Sequence, residues 1–308
     1  MKLRGNSWLL VLLAAGGAAI IYGVLVWSRL VSDPTLADIL QRLPDRDAAT
    51  VHVNVAALRG AGLGALLENS PVTEEPEYRR FVTESGFDWK TDLEAVTACK
   101  QGPHWYFFAR GRFEMDKLRQ YALSRGGECR NGICDAPGAT VGKRVSFFPL
   151  SGRVLVLASS PAPWAVYNVK KKSGQAWTGG TPEGPIWISL NGGVLAGEPS
   201  LPAGGRLFGK VLSETERTNF TAAISPSGME LRMRAFCRDT ACAENVKAQL
   251  EGVTREFKAY FDRLGQQARS DDLSGLLLAG QFASKGTEVT GRWPLSLGFL
   301  QKLAGGGL

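Results

Sequence analysis

CRNGIC, residues 129–134, sets two cysteines around an Asn-Gly pair. A type I′ turn needs φ > 0 at both central positions, and Asn-Gly accepts that geometry readily. With Asn131 and Gly132 as the turn, Arg130 and Ile133 close it as a hydrogen-bonded pair. Cys129 and Cys134 then face each other at the next, non-hydrogen-bonded pair, where Cα atoms lie about 4.5 Å apart and a disulfide fits. The stretch predicts an antiparallel hairpin with a staple. Since disulfides persist outside the cytoplasm, it also predicts the compartment.

A second pair, Cys237 and Cys242 in CRDTAC, repeats the spacing. Here the strand-like run MELRMRAFC ends and a helical pattern begins near Asp239 or Thr240, so a strand-to-helix corner could bring the two sulfurs together. Cys129–Cys134 and Cys237–Cys242 are therefore the disulfide candidates, and Cys99 is the odd thiol, expected as a small buried hydrophobe. Zinc would need further ligands, and His52 and His104 stand outside any ligand cluster. A redox pair would more typically be C-x-x-C at a helix N-terminus.

Ser7 to Ser28 is a 22-residue run without charge, long enough to cross a bilayer as a helix. Trp8 and Trp27 mark its ends as membrane-interface anchors, Lys2 and Arg4 precede it, and Arg29 follows. A cleaved signal peptide would have a shorter apolar core and a small-residue cleavage site. The expectation is a cytoplasmic tail (1–6), a single transmembrane helix (7–28) with its N-terminus inside, and the bulk of the chain periplasmic. Charge counting alone leans only weakly to that orientation, and the paired cysteines supply the rest.

The 308 residues, 44% hydrophobic and 21% charged, suit a globular chain. Setting aside Lys2 and Arg4, 34 basic residues face 29 acidic ones, too diffuse an excess for nucleic-acid binding. SDPTLADILQRLPDRD (32–47) offers a short amphipathic helix and reads as a stalk or first docking element within a 29–47 linker. TVHVNVAAL (50–58) alternates as a half-buried strand, with Val51, Val53 and Val55 expected on the buried face and His52 and Asn54 on the polar one. Hairpins are expected around Gln101–Pro103, Ser151–Gly152, Ser225–Gly228 and between LLLAGQFAS and TEVTGRWPL; helices over 77–85, 116–125, 161–172, 207–215 and 241–267, with one more at the C-terminus. The Gly/Pro/Ser/Thr-rich stretch 173–185 divides a first domain (48–172) from a second (186–308). WYFFARGRF followed by EMDKLRQYA parallels TEVTGRWPL followed by SLGFLQKLA, matching Gly111 with Gly291 and Arg112 with Arg292. The predicted fold is α+β: a transmembrane helix, then antiparallel sheets with helices packed on one face, as a divergent tandem repeat.

No catalytic constellation stands out. There is no G-x-S-x-G or S-x-x-K, and a triad could use only His52 or His104, both expected at the surface. GGRLFGKV (204–211) has the glycine-lysine spacing of a phosphate loop, but Val211 replaces the magnesium-binding Ser or Thr, so it reads as a loop entering a helix. The acidic run 73–81 suits a first helical turn, and Lys170–Lys172 a last one. Trp105 to Phe108, with Phe147 and Phe148, are expected as core.

RLPDRDAATVHVNVAALR, GFDWKTDLEAV (86–96), and ARGRF followed by a helix and SRGG together resemble uncharacterised, single-pass, membrane-anchored envelope proteins of environmental bacteria, across about residues 35–160. The resemblance implies no activity, substrate or catalytic residue. The reading is a non-enzymatic binding or scaffold protein without catalytic, cofactor or metal residues, with the lipid bilayer and an envelope protein or lipid as partners. The alternative is a carrier of a lipid or an apolar small molecule, because a sheet with helices on one face can open an apolar cradle.

Overall fold

The computed structural model describes residues 33–64, 76–172, 177–196, 203–225, 228–265, 269, 271–296, 298–299 and 302. The predicted membrane span, with Trp8 and Trp27, lies outside them. Among the described residues no helix is long and apolar enough to cross a membrane.

In chain order the elements are α1 (Leu36–Leu40), β1 (Ala48–Val53), α2 (Val55–Gly60), α3 (Pro76–Ser85), α4 (Trp89–Asp92), β2 (Leu93–Gln101), β3 (His104–Gly111), α5 (Met115–Ser124), β4 (Glu128–Arg130), β5 (Ile133–Pro137), β6 (Arg144–Ser151), β7 (Val154–Ser160), a 3₁₀ turn (Ala165–Val169), β8 (Ile186–Asn191), α6 (Gly192–Ala196), α7 (Ala203–Leu212), β9 (Arg217–Ser225), β10 (Gly228–Phe236), α8 (Thr240–Leu264), α9 (Leu273–Leu278), β11 (Gln281–Lys285) and β12 (Glu288–Leu295). The fold is α+β, built on one large antiparallel sheet. Its twelve strands run β11-β12-β10-β9-β8-β1-β2-β3-β7-β6-β5-β4.

The plural "sheets" of the sequence reading becomes a single sheet, because β1 and β8 pair across the expected boundary, Val51 opposite Ile188 and Thr50 opposite Ser189. Either side of that seam the connectivity is the same. A strand (β1, β8) leads through helices to an antiparallel hairpin (β2-β3, β9-β10), a helix follows (α5, α8), and a later strand closes onto the hairpin (β7 on β3, β12 on β10). The counterpart of β3 is thus β10, and the matched phrases at Gly111 and Gly291 fall on non-equivalent strands. A Gly-Arg-aromatic triplet is too short to fix alignment where strand alternation recurs throughout.

Directly opposed residues project to one side of a sheet, and the registers carry a single row across all twelve strands. It runs Cys129, Cys134, Phe147, Leu157, Phe107, Ala98, Val51, Ile188, Phe220, Met233, Gly291, Phe282. At one end of this apolar face α3 and α5 pack over Phe147 and Leu155. At the other, α7, α8 and α9 cover Met233, Val289 and Trp293.

The opposite face divides in two. Over β10 and β12 it is polar and solvent-facing, with Arg234 paired to Glu288 and Arg232 to Glu230. Over β3, β6 and β7 it is a second core, where Tyr106, Phe108, Phe148 and Val156 lie under α1 and the 3₁₀ turn. Helices on one face therefore describes the second half; the first half is covered on both.

The segment around α1 is a docking element, not a stalk. Thr35 and Asp38 form a capping box that starts the helix, and Ile39, Leu40 and Leu43 are buried against the sheet. Two-sided coverage also revises β1. Thr50 and His52 lie inward on the α1 face, while Val51 and Val53 are half-buried on the other. Three smaller corrections follow from capping and register. LLL in 276–278 belongs to α9, capped by Asp272 on the Gly275 N–H, because a short apolar run does not distinguish strand from helix. GGRLFGKV lies within α7. Helix α5 begins at Met115, one residue before the expected Asp116 cap, with no side-chain cap bond.

Candidate functional site

The hairpin at 129–134 folds as its turn chemistry dictates. Asn131 and Gly132 take φ of 50° and 77°, Arg130 opposes Ile133, Cys129 opposes Cys134, and the two cysteines are joined with Cα atoms 4.0 Å apart. The disulfide sits on the apolar face beside Phe147. Upstream, Gly126 (φ 76°) ends α5. Gly127 then passes so close to Ala122, Asp135 and Ala136 that a Cβ there would meet three atoms at 2.7 Å. The staple and the glycine together press the end of α5 against β5.

Between α3, α5 and the sheet lies a cavity of about 380 Å³. One wall is aromatic. Phe87 stacks on Phe113 with ring centres 4.9 Å apart, and Phe81 meets Tyr121 edge-to-face at 5.2 Å, geometries that rings favour. The floor is the sheet: Phe107 and Ala109 from β3, Leu155 and Leu157 from β7, Phe147 from β6. Space remains because the helix and strands meet here through alanines, at Ala109, Ala122 and Ala136. At the rim the lining includes the loop Pro137–Ala139 and the exposed side chain of Arg125. Among the described lining residues there is no carboxylate, histidine or thiol, and the ionisable side chains are those of Tyr121 and Arg125.

The other candidates have structural partners. Cys237 and Cys242 flank the corner between β10 and α8 as expected, with Asp239 capping the Cys242 N–H at 2.7 Å, but they are unbonded. Six-residue spacing across a corner lacks the cross-strand register that fixes the other pair. Burial and a hydrogen bond to Cys242 push the Cys237 thiol up to about 12, and Cys99, free and fully buried, is pushed by burial up to about 11. Neither is an available thiolate.

His52, expected at the surface, is buried. Its Nδ1 lies 2.9 Å from the Thr97 hydroxyl, and burial lowers its pKa. His104 Nδ1 lies 2.8 Å from the Ser160 hydroxyl, but Ser160 is fully buried and also accepts the Ala162 N–H. A second cleft of about 380 Å³ borders His52, Glu94 and Arg110. Its charges are already held: Glu94 by Arg153 and Arg110 by Asp33. In the Lys170–Lys172 run, Lys172 pairs with Asp38 and Lys170 lies above the Tyr167 ring.

Sequence reasoning placed the aromatic stripe in the core, and the register splits it. Tyr106, Phe108 and Phe148 are core on the α1 face, while Phe107 and Phe147 line the cavity on the other. The cavity residues Phe81, Phe87, Phe113 and Ala109 carried no functional motif. The clustering of small residues at Ala122, Ala136, Gly138 and Ala139 was the nearest signal, and it becomes readable only once β3, β5 and α5 are known to meet.

No protein-family model matches this chain, and no curated protein matches it. Among solved structures it is similar to crystal forms I and III of TP0453. Form I has a TM-score of 0.46 at 10% identity over 88% of this chain and 95% of that one. Form III has 0.44 at 10% over 89% and 96%.

Proposed function

We propose that this chain is a non-enzymatic, membrane-anchored protein of the bacterial envelope whose exported part takes up an apolar small molecule or acyl chain. The observation that carries the binding reading is the cavity between α3, α5 and the sheet. Its volume of about 380 Å³ falls in the usual range for small-ligand sites, about 300–1,000 Å³. Its lining is aromatic and aliphatic, so transfer of a hydrocarbon from water into it is favourable by about 0.8 kcal/mol per methylene. Such a ligand fits this site better than a second protein does, because the apolar surface is recessed under two helices.

The anchor rests on the uncharged run 7–28 with its terminal tryptophans, and the exported orientation on the Cys129–Cys134 pair. The shared connectivity of the two halves supports a divergent tandem repeat.

The test is mass spectrometry of small molecules extracted from the full-length chain purified in a non-ionic amphipol, beside an Ala136→Leu variant prepared identically. Both carry the same lipids around the anchor, so the difference reads the cavity. A molecule retained near one per wild-type chain and depleted in the variant supports the proposal; identical extracts count against it.

A further inference from the structure

We propose that the cavity takes a single-chain amphiphile with one anionic head group, a carboxylate or a phosphate monoester, the chain lying along the aromatic wall and the head group meeting Arg125. The inference rests on the apolar-ligand reading above and deepens it.

Arg125 is the one charged residue among the described lining residues, and it is exposed at the rim. Arginines elsewhere on α3, α5 and β4 are paired: Arg80 with Glu84, Arg119 with Asp116, Arg130 with Glu128. Among the described residues the Arg125 side chain holds no carboxylate. A guanidinium offers a planar fork of donors that matches a carboxylate or phosphate with two parallel hydrogen bonds.

Arg125 follows the C-terminus of α5, where backbone carbonyls repel an anion. Here the Arg125 and Gly127 N–H groups turn back onto the carbonyl of Ala122, and Gly126 onto that of Leu123, so those dipoles are largely answered. The end effect of a helix at an exposed position is smaller than a charge-assisted hydrogen bond. The site thus joins an apolar slot to a cation at its mouth that, among the described residues, is the one charged lining side chain, the complement of a soap-like molecule.

Equilibrium dialysis of the full-length chain in a non-ionic amphipol, with empty amphipol subtracted, compares laurate, dodecyl phosphate, dodecanol and dodecyltrimethylammonium. The two anions should bind about tenfold or more tightly than dodecanol, and the cation most weakly. Arg125→Gln should bring both anions to the level of dodecanol, and Arg125→Lys should retain part of the advantage. A preference for laurate over dodecyl phosphate, or the reverse, assigns the head group. Dodecanol binding as tightly as laurate, or an anion preference that survives Arg125→Gln, overturns the anionic-ligand proposal and leaves the cavity reading standing. No saturable binding of any probe, with Ala136→Leu indistinguishable from wild type, removes both.

Discussion

At the corner between β10 and α8, Cys242 is partly exposed while Cys237 and Cys99 are buried, and burial leaves the last two with thiols raised to about 12 and about 11. Native labelling with a maleimide should therefore modify Cys242 alone, and labelling after denaturation without reductant should find three thiols. Finding one thiol would show that Cys237 and Cys242 are bonded. His52 gives a pH prediction. Burial lowers its folded pKa, so the unfolded chain binds the proton more readily, and the contribution is whole above about pH 6.5 and fades as pH falls below it. The carboxyl of Asp38, hydrogen-bonded by Lys172 and Thr35, is lowered to about 2; its contribution disappears only at more acidic pH, below about 4. Thermal melts between pH 7.5 and 5 should fall for the wild type and fall less for His52→Gln. Equal slopes would remove His52 as the source. At this scale the sequence was legible where backbone chemistry dictates the answer, as at Asn131-Gly132, and illegible where burial does. His52 looked exposed because alternation reports two faces without saying that both are covered.

Helix α1 is five residues long, too short to persist alone, so its packing holds it. Leu43, which follows it, is 2% exposed, and Leu43→Ala should lower stability by about 2–5 kcal/mol through lost burial and the cavity left behind. Val141→Ala, at a fully exposed site, should change the urea midpoint little. Similar midpoints for both would mean that residues 33–47 are a stalk after all. The α3–α5 wall makes the opposite prediction. Adding methylenes to a filled core costs about 1–3 kcal/mol, but Ala109→Leu points into open space and should leave the urea midpoint unchanged or raise it. A clear destabilisation would mean that the space closes in solution. Hairpins and long helices could be read from turn residues and period, because each is a local signal. The cavity could not, because it is a property of which residues β3, β5, β7 and α5 bring face to face.

Over the whole molecule, the β1–β8 seam makes one structural unit of two sequence halves, so the Gly/Pro-rich stretch before β8 connects strands of one sheet instead of separating independent folds. Twelve strands would present an apolar face far larger than a monomer ordinarily exposes. Helices cover it at both ends, with the cavity under one of them. The disulfide begins the row that crosses this face, which ties the feature that pointed to an exported chain to the feature that offers a binding site. The sequence announced the α+β class and the staple; the shared sheet and the recess depend on strand order, which sequence alone leaves open. The most direct measurement is the equilibrium binding of neutral dodecanol to the full-length chain beside Ala109→Leu and Ala136→Leu. Saturable binding near one molecule per chain is expected for the wild type and binding at least tenfold weaker for each variant, about the effect of displacing two methylenes from an apolar site. Equal binding by all three proteins, or none that saturates, would contradict that expectation.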